Sequence, residues 1–136
     1  MAGRLERFVQ AQANSYDSAL SEVRRGRKVS HWMWYIFPQV KGLGHSPTAL
    51  YYAIAALDEA REYLAHPVLG PRLREITQAM IDCNAGADLR GVLGYPDNLK
   101  FCSCMTLFDL AADDDLFSRA LAAFNLAPDP LTQRLV

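Results

Sequence analysis

The segment Leu99 to Leu110, "LKFCSCMTLFDL", is apolar on nearly every side of a helix. A helix of that kind is buried all round, so the rest of the chain must wrap it. This requirement predicts a central helix with other elements packed around it. Lys100 opens this otherwise buried helix. A lysine at the start of a buried helix must reach water, pair with an acid or face a cavity. Ser103 and Thr106 follow at helical spacing and share roughly one face with it.

The flanking sequence reads as helices with short connections. Leu5, Phe8, Val9 and Gln12, then Tyr16, Leu20 and Val23, recur at helical spacing, with a break expected near Asn14 and Ser15 and a C-cap at Gly26. Ser30 to Pro38 has no clean period. It predicts a short helix stopped by Pro38, with a strand as the alternative. "KGLGHSP" is a turn by composition, after which Ser46 caps a helix with Pro47 in its first position. Leu50, Ile54, Leu57 and Leu64 form one stripe on that helix, which His66-Pro67 ends.

Gly70-Pro71 opens the next helix, carried by Leu73, Ile76, Met80 and Cys83. Leu89, Val92 and Leu93 predict a short helix stopped by Gly94, and Asp97 is the expected cap of the central helix. "ADDD" precedes a helix through Leu116, Phe117, Ala120, Leu121 and Phe124, and Asp129-Pro130 starts a last turn. The expectation is an all-α fold, a single compact domain over residues 1–136 with about six to eight short helices.

A net charge of −1 gives no electrostatic basis for holding nucleic acid. No apolar run reaches the ~20 residues of a membrane span, and "MAGRLERFVQ" lacks the apolar stretch of a signal peptide. Cys83, Cys102 and Cys104 are an odd set without framework spacing. They predict reduced, mostly buried thiols, no metal, no cofactor and a cytoplasmic protein.

The densest chemistry lies in "SHWMWYIFPQVKGLGHS", Ser30 to Ser46, which holds both tryptophans and two of the three histidines. Aromatic residues alone would serve a core, but His31, Gln39, Lys41 and His45 among them suit a pocket with a few convergent polar groups. The "GLGHSP" turn before a helix start suits an anion. Together with "YPDNLK" this predicts one site for a small anionic or nucleotide-like ligand. Its expected residues are His31, Trp32, Trp34, Gln39, Lys41, His45, Ser46, Asp97, Lys100, Ser103 and Thr106. The two segments must then meet in space. In an enzyme, His31 or His45 would act as acid–base and Asp97 would orient it. The alternative is a non-catalytic interaction module, with the aromatic run exposed to a protein partner and "RRGRK" at its rim.

"GRKVSHWMWYIFPQVKGLGHS", "YLAHPVLGPRL" and "YPDNLKFCSCMTLF" resemble the domain of unknown function 1810 family, small bacterial proteins often mislabelled calpastatin. The resemblance spans nearly the whole chain and implies one mostly helical domain with no known activity. Calpastatin repeats are polar and disordered, unlike this apolar, packed chain. The family pattern Ser-Ser-Met-Thr stands here as Ser103-Cys104-Met105-Thr106, so position 104 offers no hydroxyl. "NLAPDP" replaces a glycine-rich approach to the last Asp. A fold-level analogy with the NADAR family, helical domains linked to ADP-ribose chemistry, adds an N-glycosidase as a third reading.

Overall fold

In a computed structural model that describes residues 3–136, the chain forms ten helices. They are α1 Glu6–Ala13, α2 Tyr16–Arg25, α3 Met33–Ile36, α4 Pro47–Tyr51, α5 Leu57–Ala65, α6 Leu69–Asn84, α7 Leu89–Leu93, α8 Asp97–Ala111, α9 Leu116–Ala123 and α10 Pro130–Leu135. Six have eight or more residues, and the other four are single turns or little more. No strand occurs among the described residues, only an isolated parallel bridge between Val40 and Ile54. No helix among them is long and apolar enough to cross a membrane.

The all-round apolar segment becomes α8, which packs against α5, α7, α9 and α10. Every residue from Ser103 to Phe108 is buried. Aromatic rings tie α8 to its neighbours. Phe101 meets Phe37 edge-on at 5.1 Å and Phe124 at 5.7 Å, while Phe108 packs at a tilt against Tyr63 at 5.2 Å and Phe117 at 5.9 Å. Each such ring adds roughly 2–3 kcal/mol of burial. α6 lies across α5, α2 and α9 and completes the shell.

Local cap signals act where the sequence places them. Gly26 ends α2 at φ 77°, a left-handed conformation that costs glycine nothing. His66 ends α5, and its Nδ1 accepts from the backbone N–H groups of Val68 and Leu69 at 3.1 and 3.2 Å, starting α6. Gly70 lets that corner close: a Cβ there would stand 2.1 Å from the Leu64 carbonyl oxygen.

Two expectations are corrected. The stripe from Leu50 to Leu64 does not lie on one helix. The chain breaks between α4 and α5, where Ile54 donates to Gln39 O at 2.9 Å and accepts from Lys41 N at 2.7 Å. Arg7 of α1 holds the break: Nε reaches Tyr51 O at 2.7 Å, Nη2 reaches Ala53 O at 2.9 Å, and Nη1 pairs with buried Glu59 at 3.3 Å. Leu50 is left exposed. The cysteines are free, but only Cys104 is fully buried. Cys102 is half-buried and Cys83 is exposed near the end of α6.

Candidate functional site

The run Ser30–Phe37 is organised by Glu22, a carboxylate on the inner face of α2. Its Oε1 accepts from Val29 N at 2.7 Å, Ser30 N at 2.9 Å and Trp32 Nε1 at 2.9 Å, and its Oε2 accepts from Ser30 Oγ at 2.7 Å. Burial pushes the Glu22 pKa up, but these four donors outweigh it and bring it down to about 2. Trp32, Met33, Ile36 and Phe37 then enter the core, each no more than 2% exposed. Trp32 is therefore a core residue and not a site wall: its indole N–H is spent on Glu22. His31 is exposed on the surface, and α3 is a short helix, not a strand.

The two singled-out segments do meet. Lys28 Nζ lies 2.9 Å from Asp97 Oδ2 and over the Trp32 ring at 5.1 Å. Lys100 Nζ lies 3.8 Å from Asp97 Oδ1 and over the Trp34 ring at 5.4 Å. Asp97 thus sits between two lysines in the first turn of α8 and is not its cap, a position that Pro96 occupies without a side-chain hydrogen bond. Tertiary pairing has claimed the carboxylate that local capping would use. Lys28, in the basic run, was read as rim and is instead nearly buried, with 9% of its side chain exposed.

Beside this cluster opens a cleft of about 470 Å³. Gln39, His45 and Ser46 line it from the turn before α4, and Lys100 and Ser103 from α8. Leu43, Leu99 and Leu131 add aliphatic wall, and Asp129 closes one side. No Trp, Tyr or Phe ring lines it. Trp34 stands behind, in a cavity of about 20 Å³ that shares Gln39, Gly44 and Ala49 with the cleft. Lys41 is exposed and outside the lining, and its backbone N–H serves the bridge to Ile54. Thr106 is also outside: its Oγ1 accepts from Asp129 N at 2.9 Å and lies 2.8 Å from Cys102 O.

Ser46 caps α4 as its sequence predicts, with Oγ accepting from Ala49 N at 3.1 Å. Ser46→Ala is expected to cost about 1 kcal/mol in a urea melt without altering the fold. A loss below about 0.3 kcal/mol would mean that water replaces the hydroxyl.

Asp129 was read only as a helix start and is more than that. It caps α10 through Leu131 N at 3.3 Å, and its Oδ2 holds Ser103 Oγ at 2.8 Å and Thr132 Oγ1 at 2.6 Å. The signal for it was present in Asp-Pro opening a helix with Thr three residues on, but its partner on α8 was not. Among the three histidines only His45 reaches the cleft, since His31 is outside it and His66 is spent on the Val68 and Leu69 N–H groups. A second cavity, about 500 Å³, lies between Arg61, Leu64, Arg74 and Asp114. There the Arg74 guanidinium already pairs with Asp114 at 3.4 Å, and none of the expected site residues lines it.

None of the curated proteins compared with the chain matches it. A solved structure does: the conserved hypothetical protein Rv1873 from Mycobacterium tuberculosis is 46% identical, with a TM-score of 0.93 over 97% of this chain and 95% of that one. A family model described as a protein of unknown function, DUF1810, matches residues 2–136, and the chain belongs to that family.

Proposed function

We propose that the protein binds a small ligand through an anionic group held in the cleft between the turn before α4 and the start of α8. One observation carries this reading. Gln39, His45 and Ser46 converge with Lys100 and Ser103, more than fifty residues away in sequence, on one concave space. Lys100 is the cation of that space. The one carboxylate oxygen within 4 Å of its ammonium among the described residues, on Asp97, is 3.8 Å away and beyond hydrogen-bond reach. Desolvating such a group without a close partner is costly, and a ligand phosphate or carboxylate offsets that cost. Ser46 and Gln39 add polar groups that orient the ligand.

The aliphatic walls favour a ligand with an aliphatic part over one that needs an aromatic stacking surface. In this reading the aromatic run supplies rigidity instead, since Trp32 and Phe37 lie in the core and offer no surface to a partner.

A thermal-shift screen of sugar phosphates, nucleotides and aliphatic carboxylates tests this. A ligand at a hundred times its dissociation constant should add about 2.7 kcal/mol of stability, and Lys100→Met should remove the gain. An equal gain in Lys100→Met would refute the assignment of Lys100 as the anion holder.

A further inference from the structure

The cleft wall holds two charges, and an anionic ligand satisfies only one. Asp129 shares the lining with Lys100. Burial pushes its pKa up, but hydrogen bonds from the Thr132 and Ser103 hydroxyls and from the Leu131 N–H outweigh it and hold the carboxylate below its ordinary range. It is an anion at neutral pH.

A carboxylate offers about four acceptor positions. Oδ2 uses two of them, on Ser103 Oγ and Thr132 Oγ1, whereas Oδ1 accepts only Leu131 N at 3.3 Å. That is long for a charge-assisted bond and leaves Oδ1 room for a donor. α8 brings the two charges to the same cleft. Lys100 and Ser103 are one turn apart, about 5–6 Å between Cβ atoms, and Ser103 touches Asp129. A ligand with only a negative group would bring it close to a fixed carboxylate, at a cost set by the low dielectric of a cleft.

We propose that the cleft takes a small aliphatic zwitterion, with its acid group on the Lys100 ammonium, its protonated amine on Asp129 Oδ1, and its carbon chain against Leu43, Leu99 and Leu131. This rests on the anionic-ligand reading and narrows it to one chemical class.

Calorimetric titration of the full chain with matched pairs tests it: leucine against 4-methylpentanoate, and 6-aminohexanoate against hexanoate. At least one zwitterion should bind about tenfold or more tightly than its amine-free partner, the worth of one charged hydrogen bond. Asp129→Asn keeps a capping side chain and should erase that difference, because the amine loses its charged partner while the simple acids lose a repelling carboxylate. Because the matched pairs are compared in the unaltered protein, the result does not depend on the variant folding. Equal affinities within both pairs, or tighter binding of the simple acids, would overturn the zwitterion and leave the anion site standing. Binding of none of the four, with no response to inorganic phosphate, would overturn both.

Discussion

Replacing Arg7 by methionine is expected to destabilise the protein by about 3–5 kcal/mol in a urea melt. The guanidinium joins three things that no other group can join: the Tyr51 carbonyl, the Ala53 carbonyl and the buried Glu59 carboxylate. Methionine fills similar space over Phe8, whose ring the guanidinium covers at 4.4 Å, so the loss is electrostatic and not a cavity. Glu59 is 1% exposed and would keep only Arg4, at 3.5 Å, as a cation, which holds the loss toward the lower end of that range. Its Oε1 also accepts from Ala55 N at 2.6 Å, on the far side of the break. Adding Glu59→Gln to Arg7→Met should therefore recover part of the loss, because Gln still accepts from Ala55 while no buried charge remains. A double variant weaker than the sum of the two single ones would show that the pair is not coupled in this way.

The second large effect is at Glu22 and depends on pH. In the unfolded chain this group titrates near 4.5, and in the folded protein near 2. A depressed carboxylate stabilises the fold above its unfolded value, and the contribution fades as pH falls from about 4.5 toward 2. The full contribution is about 3 kcal/mol at neutral pH. Glu22→Gln retains an acceptor for Val29, Ser30 and Trp32 but loses the charge, and should cost about 2 kcal/mol at pH 7. Below about pH 3 variant and wild type should approach each other, since wild-type Glu22 is then losing its charge. Stability profiles that stay parallel from pH 7 to about pH 3 would mean that Glu22 contributes as a neutral acceptor only. Because Glu22 sets the path of Val29 to Trp32, and Lys28 lies in the same turn, the variant should also weaken ligand binding more than its stability loss explains.

What could be read from the sequence follows the range of the forces involved. α8 was legible because an all-round apolar surface admits one environment. Gly26, Ser46, Asp129 and the stop at Gly94 were legible because caps depend on neighbours two or three residues away. The break between α4 and α5 was not, since the stripe of Leu50, Ile54 and Leu57 is locally helical and Arg7, more than forty residues earlier, overrides it. Asp97 looked like a cap by the same local rule, and Lys28 took it. In the candidate site Gln39, His45 and Ser46 do lie beside Lys100 and Ser103, while His31, Lys41 and Thr106 fall outside the cleft and Trp32 belongs to the core. Its acceptor, Glu22, sits on the apolar face of α2 among Ala19, Leu20 and Val23. An acid in that position is itself a sign of a buried donor, and it passes unnoticed when only the apolar spacing is counted.

A small anionic ligand is proposed to enter the cleft between the turn before α4 and α8. Backbone amide chemical-shift mapping with hexanoate, and separately with inorganic phosphate, tests it most directly. Saturable shifts are expected, confined to residues 39, 43–49, 99–103 and 129–131, and lost in Lys100→Met. Shifts that instead cluster around Arg61, Arg74 and Asp114, or no saturable shifts with either probe, would contradict it.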